Sequence, residues 1–446
     1  MPKLWQKGYD LNAAIEQFTT GEDIVLDNEL VPYDVYGSLA HARMLARLGL
    51  LAPDELARLE EGLRRILQLH QQGEFRLQPG DEDVHTKIET WLTQEYGEAG
   101  QKIHTGRSRN DQVLVALRLL AKERLLEVWE ALLRLGQTAL EFAQTHEWLP
   151  MPGYTHLQRA MPSSVGLWAG ALLESLLDDL ALLQAAFRLN DQCPLGSAAG
   201  YGVPLPLDRA YVAEALGFAK VQNNALYCQN SRGKVEAAIL QALVQVMLDL
   251  SRWAADVLLF TTREFDFFAL PDELCTGSSI MPQKRNVDVL ELVRGRVYAL
   301  LADQNQVLGI VAGLPSGYNR DVQETKRPLL HGLALTLACL RVCDLTLAHL
   351  QPKPENLRAA CTPELFATHR AYELVQQGVP FREAYRQVAA NLAHLPEVDP
   401  VAAIRAMTHL GAPGCLGLAP LAKRLENEWA ILEGCKTRFR RAMSAM

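Results

Sequence analysis

Apolar side chains along this chain recur at alternating steps of three and four over long distances, a spacing that predicts helices. The clearest case runs from Lys234 to Phe260, where Val235, Ile239, Leu243, Val246, Leu250, Trp253, Val257 and Phe260 form one stripe. Such a stripe is the seam along which a helix packs lengthwise on others. About 27 residues at about 1.5 Å each give roughly 40 Å, longer than an ordinary globular helix. From Ser163 to Arg188 most faces are apolar, with Trp168, Leu172, Leu176, Leu180, Leu183 and Phe187, as in a helix touched on several sides. Gln112–Gln144, Val287–Val311 and Pro328–Leu350 also read as long helices, and Pro328 suits a first helical turn. Strand signals are few, the best at Phe75-Arg76-Leu77. The pattern therefore predicts an all-α fold built on a central bundle of about five long helices.

Glycine- and proline-bearing stretches punctuate these helices: Pro150–Gly153, Cys193–Gly202, Thr276–Ser279 and Leu314–Gly317. Each adjoins a long helix, so these turns belong at the bundle ends, where function concentrates. The expected organisation is a N-terminal helical domain over 1–108, the bundle domain over 109–352 and a C-terminal helical domain over 353–446. No internal repeat or low-complexity segment interrupts it.

Composition narrows the partners. Among 446 residues the formal charge is −8, so no general excess of positive charge waits for nucleic-acid phosphates. An anionic substrate must be held by local basic residues instead. The eight cysteines form no Cys-x-x-Cys pair, and Cys339 and Cys343 sit one helical turn apart in an apolar run. They read as buried thiols of a reducing compartment. Met1–Lys7 lacks the apolar stretch of a signal peptide, and Arg341 and Asp344 interrupt a leading membrane-span candidate. The expectation is a cytoplasmic protein with no membrane partner.

Three polar segments exceed what connectors need. His104-Thr-Gly-Arg-Ser-Arg-Asn-Asp111 supplies an N-cap from Ser108, Asn110 or Asp111, and its arginines beside a helix start also suit a carboxylate. Gly153-Tyr-Thr-His-Leu-Gln-Arg159 places His156, a group able to exchange protons near neutral pH, between Thr155 and Gln158. Gly277-Ser-Ser-Ile-Met-Pro-Gln-Lys-Arg-Asn286 sets Ser278 and Ser279 within one loop of Lys284 and Arg285. Serine becomes a base only where cationic surroundings lower its pKa, and such a loop suits a mobile lid over an anion. A fourth segment, Tyr318–Lys326, mixes donors and charges before a long helix. His-Glu-x-x-His, P-loop, Gly-x-Gly-x-x-Gly and Gly-x-Ser-x-Gly patterns are missing, so an enzyme here is expected to work without metal or cofactor.

The three segments together resemble the signature regions of the fumarase/aspartase superfamily, above all the Gly-Ser-Ser-x-Met-Pro-x-Lys-x-Asn core at 277–286. Residues 104–112, 153–160, 313–324 and Asp81–Thr86 resemble its argininosuccinate lyase branch. The resemblance, spanning roughly residues 15 to 385, implies a three-domain helical protomer. It also implies a homotetramer with a twenty-helix bundle and active sites shared among three subunits. It further implies elimination of argininosuccinate to arginine and fumarate. On that reading Ser278 takes the carbon-bound proton and His156 is acid or proton relay. Lys284 stabilises the developing charge, and Glu291 orients His156. Ser108, Arg109, Asn110, Thr155, Gln158, Asn286, Tyr318, Gln323 and Lys326 hold substrate, and Asp81 and His85 shape the site. Two rival readings share the fold: another superfamily lyase, acting on adenylosuccinate or aspartate, and a non-catalytic crystallin-like protein.

This chain departs from the branch in places. Gln6–Tyr9 replaces the usual Gly-Gly-Arg-Phe. A serine expected in Phe-x-Ala-Ser is missing from Phe18-Thr-Thr-Gly-Glu-Asp23, leaving Thr20 or Asp23 as its equivalent. Gly233 stands where an Asp is usual, beside the retained Ser231 and Arg232. Met161 and Val287 replace a Gln and a Pro, and the C-terminal region is short.

Overall fold

The computed structural model of the chain describes residues 12–78 and 80–446, so the departure at Gln6–Tyr9 lies outside the described residues. A N-terminal layer holds helices α1 (Val31–Arg47), α2 (Pro53–Gln71) and α3 (Val84–Tyr96). Helix α4 (Arg109–Thr145) then runs 37 residues into a hairpin of β1 (Pro150–Thr155) and β2 (Gln158–Ser164). Four more long helices follow: α5 (Val165–Asn190), α6 (Lys234–Phe260), α7 (Asp288–Val311) and α8 (Lys326–Ala348). The chain closes on α9 (Leu418–Ser444), which packs along α4 and α5.

Helices α4 to α8 are the expected five-helix bundle: α4 lies against α5 and α8, and α6 lies against α5, α7 and α8. The stripe over Lys234–Phe260 makes all of α6, with Ile239, Leu243, Val246, Leu250 and Val257 fully buried. Helix α4 starts three residues earlier than the apolar pattern suggested, because a cap sets its start. The Ser108 hydroxyl accepts the Asn110 N–H at 3.3 Å, and the Asp111 carboxylate accepts the Ser108 N–H at 2.9 Å. One apolar core runs from Leu30 through the bundle to Phe439, so the N-terminal layer and the last helix share it. The apolar stretch at Arg320–Ala348 has the length and hydropathy of a membrane span, and over half of its most apolar window is buried inside the protein.

Two local expectations fail. Phe75-Arg76-Leu77 is not a strand: Phe75 and Leu77 are buried in the core, and the Leu77 N–H donates to the Asn28 side chain at 3.0 Å. Alternating burial here comes from a loop laid on the core. Conversely Pro150–Gly153, read as a turn, is strand, paired from Pro150 opposite Ser164 to Gly153 opposite Met161. A two-stranded ribbon is all edge, where proline loses no ladder bond. The cysteines are all free. Cys193, Cys228, Cys339 and Cys343 are buried as expected, whereas Cys275, Cys361, Cys415 and Cys435 are partly exposed.

Candidate active site

At one end of the bundle the start of α4, the start of α8 and the N-terminal layer enclose a polar cavity of about 390 Å³. Capping exposes the first turn of α4 there, with Ser108, Arg109 and Asn110 in the wall. The positive end of its helix dipole favours anions. Arg109 itself is already matched, held by Glu82 at 2.7 Å and by Asp83. Asp83 caps α3, accepting the Thr86 N–H at 2.8 Å. Burial works against its charge, but His85 and Arg109 pull its carboxyl below the usual range.

His85 stands two residues further on, 4 % exposed, with Nδ1 on the Asp34 carboxylate. Burial disfavours an imidazolium there, yet Asp34, Asp83 and Asp27 together raise its pKa above the ordinary value. Its Nε2 is buried without a partner among the described residues, in the cavity wall. Lys326, 2 % exposed at the first residue of α8, pairs with Asp23 at 2.8 Å and with Asp27. Burial disfavours its charge, but those carboxylates prevail and the ammonium is held above its usual pKa. Tyr318 and Gln323 complete this wall. The buried Arg232 guanidinium lies 5.5 Å from the Tyr318 ring centre, and Gln323 donates to the Thr19 carbonyl at 3.2 Å.

The remaining predicted residues lie elsewhere. Thr155, His156 and Gln158 are on the exposed tip of the hairpin that follows α4, where His156 and Leu157 take φ of 52° and 59°. Ser278, Lys284 and Asn286 ride an exposed loop closed at its base by the Thr276–Asn286 bridge, whose two backbone hydrogen bonds are both 2.9 Å. Within it the Ser278 hydroxyl accepts the Ile280 and Met281 N–H groups at 3.3 and 3.1 Å. Glu291 is exposed near the start of α7. Hairpin and loop share the far end of the bundle. Helix α4 spans roughly 55 Å between the cavity and the hairpin, and α7 roughly 35 Å between the loop and the cavity end. One copy of the chain thus brings together Ser108, Arg109, Asn110, His85, Tyr318, Gln323 and Lys326, but none of the presumed proton-transfer groups.

Asp81 is a correction. Its carboxylate accepts from Lys87 Nζ and the Gln78 N–H, both at 2.7 Å, and it is not in the cavity wall. Asp83 takes that place; spacing alone does not say which of three neighbouring acidic residues turns inward. Arg107, one of the two arginines expected to suit a carboxylate, lines the cavity, and so do Asp27 and Arg320, which the sequence did not single out. Of the two serine substitutes, Thr20 is spent on the Glu16 carbonyl at 2.9 Å, whereas Asp23 lines the cavity. Gly233 has a local cause: it caps α6 at φ 79°, and a Cβ there would meet Val311 Cγ1 at 2.0 Å.

The bundle of long helices with polar loops at both ends is that of the fumarase/aspartase class of lyases, as the known relatives of the chain show. Residues 12–299 match the family described as Lyase. The argininosuccinate lyase of Sorangium cellulosum is 48 % identical over 424 residues, 95 % of this chain and 98 % of that protein. That of Thermotoga neapolitana is 43 % identical over 387 residues, 87 % and 97 % respectively. Solved structures share the fold at lower identity. EDDS lyase in complex with formate has a TM-score of 0.84 at 22 % identity, covering 98 % of this chain and 95 % of that one. The class II fumarase of Schistosoma mansoni has 0.75 at 17 %, covering 91 % and 97 %. The chain belongs to the argininosuccinate lyase family.

Proposed function

We propose that this protein splits argininosuccinate into arginine and fumarate, in sites each assembled from several copies of the chain. One observation carries the reading. The cavity is lined by Ser108, Asn110, Tyr318, Gln323 and Lys326 and by none of His156, Ser278 and Lys284, which stand at the opposite end of the same bundle, His156 and Lys284 exposed and Ser278 half-buried. Antiparallel association of bundles would carry one copy's hairpin and another's loop to a third copy's cavity. Apolar side chains left outside on the long helices support a homotetramer: Leu182 on α5, Leu248 on α6, Leu292 and Tyr298 on α7, and Leu345 on α8 are 41–75 % exposed.

The chemistry follows from the substrate. Elimination removes a proton from the carbon next to a succinate carboxylate and breaks the bond from the adjacent carbon to the guanidine nitrogen. The intermediate places two negative charges on that carboxylate, so it needs a base at carbon and fixed cations or donors at oxygen. Ser278, as alkoxide, takes the proton; Lys284 from the same loop favours both the alkoxide and the doubly charged carboxylate. His156, oriented by Glu291, gives a proton to the departing guanidine. Thr155, Gln158 and Asn286 arrive with these segments and hold the succinate. Ser108, Asn110, Tyr318, Gln323 and Lys326 grip the substrate from the cavity. Arg109 acts through its hold on Asp83, and His85 offers Nε2. The eight free thiols support a reducing compartment such as the cytoplasm.

Purified protein is mixed with argininosuccinate in the presence of chelator, fumarate is followed by ultraviolet absorbance and arginine is assayed separately. Equal amounts of both are expected. Ser278→Ala should lose turnover while retaining assembly and substrate binding; wild-type turnover in that variant would sink the base assignment.

A further inference from the structure

Helix α1 turns three polar side chains inward behind the cavity. Asp34, Ser38 and His41 stand four and three residues apart, on one helical face, and none is more than 2 % exposed. They are not in the cavity wall themselves, but each holds a part of it. The Asp34 carboxylate takes His85 Nδ1 on Oδ2. The Ser38 hydroxyl donates its one proton to Asp34 Oδ1 at 3.3 Å, which leaves its lone pairs to accept from Arg107 Nη1 at 2.8 Å. His41 Nε2 meets the Thr105 carbonyl at 2.8 Å and fixes the backbone two residues before Arg107. Glycine at 37 lets α1 come this near to α4, since a Cβ there would meet Val115 Cγ1 at 3.2 Å.

Arg107 differs from its neighbours in the wall. Arg109 is committed to Glu82 and Asp83, and Lys326 to Asp23 and Asp27. Arg107 is 9 % exposed, donates to a neutral hydroxyl, and keeps Nε buried without a partner among the described residues. Burial lowers its pKa and Asp34, Asp111 and Glu89 oppose the fall, and a guanidinium keeps its proton at any working pH. We infer that Ser38 is a positioning residue for the proposed reaction: its hydroxyl, oriented by Asp34, aims the Arg107 guanidinium at a carboxylate of the succinate half. Ser38 does not touch the substrate. Without its oxygen a buried N–H loses its acceptor and the guanidinium is free to turn. Lys284 is assigned to the carboxylate that gains charge, so Arg107 faces the one whose charge stays the same. An interaction equal in bound substrate and transition state acts on KM and leaves kcat unchanged.

The inference rests on the proposed reaction but is read first by binding. Calorimetric titration of the intact protein with succinate gives a dissociation constant for wild type, Ser38→Ala, Arg107→Ala and the double variant. Ser38→Ala should weaken succinate about tenfold, the scale of one hydrogen bond to a charged group. In the Arg107→Ala background the same substitution should change binding by less than about twofold, because the group it aims is gone. A merely structural serine would weaken binding alike in both backgrounds. With argininosuccinate, Ser38→Ala should raise KM about tenfold and leave kcat within about twofold. Unchanged succinate binding in folded Ser38→Ala, or equal losses in the two backgrounds, overturns the assignment. If Ser38→Ala does not fold, Ser38→Cys, close in volume and a weaker acceptor, is read through the same cycle with the same two outcomes. Absence of argininosuccinate turnover in wild type would instead count against the proposed reaction, whatever the succinate cycle gives.

Discussion

His85 joins a recognisable motif to a partner no motif names. Its imidazole is buried against Asp34, 51 residues away on α1, and carries a raised pKa. A histidine pKa raised in the folded state contributes stability that is fully present below the unfolded value near 6.5 and is lost as pH rises through the folded value. Urea unfolding should therefore give a free energy that falls as pH increases from about 6.5. Asp34→Asn should remove most of that fall and lower stability most at the acid end. An unchanged pH slope in the variant would refute the coupling. Lys326 is the parallel case for a lysine. Lys326→Met takes the ammonium from the buried Asp27 and the half-buried Asp23, which should cost about 3 kcal/mol of unfolding free energy, read by denaturant titration.

At the scale of elements, caps and turns position the chemistry. The hairpin lifts His156 on a two-residue turn whose residues both take left-handed conformation, a geometry usually filled by Asn-Gly. That turn projects the imidazole clear of its own protomer. Gly233 shows an element tolerating a departure from the family pattern because its backbone demands it. Gly233→Asp, which restores the usual family residue, meets both a positive φ and the Val311 side chain, and should lower stability by about 2–4 kcal/mol. Thermal melts should show partial recovery in Gly233→Asp with Val311→Ala, since only the steric part is relieved. An undiminished melting temperature for the single variant would show that α6 and α7 shift apart easily.

For the whole molecule, the proposed division of binding and proton-transfer groups between the two bundle ends predicts that assembly is a condition of activity. Asn110→Ala spoils a cavity and Ser278→Ala spoils a loop, and in a shared site these come from different copies. Each variant alone should be nearly inactive. Dissociated and reassembled together, or co-expressed, they should regain activity in roughly a quarter of sites, those that draw an intact cavity from one variant and an intact loop from the other. Fumarate release by the mixture measures this directly, and no recovery in mixed tetramers would place both residues in one copy's site.

Local patterns sufficed for the helices and for the chemical character of the loops. The four–three spacing of α6, the capping serine at 108 and the lysine–serine loop at 277–286 are written in neighbouring residues, and helical periodicity and capping act over one or two turns. The strand at Pro150–Gly153 was misread because its pairing partner, Met161–Ser164, gives it meaning. The charge pairs of the cavity were beyond reach for the same reason. Lys326 meets Asp27 across 299 positions, and Asp83, not Asp81, pairs with Arg109 from the start of the next long helix. What the sequence by itself determined is which groups exist and which local element carries each. Tertiary structure decided which end of the bundle each group occupies and which charges pair with one another, because both depend on burial and on contacts between segments far apart along the chain.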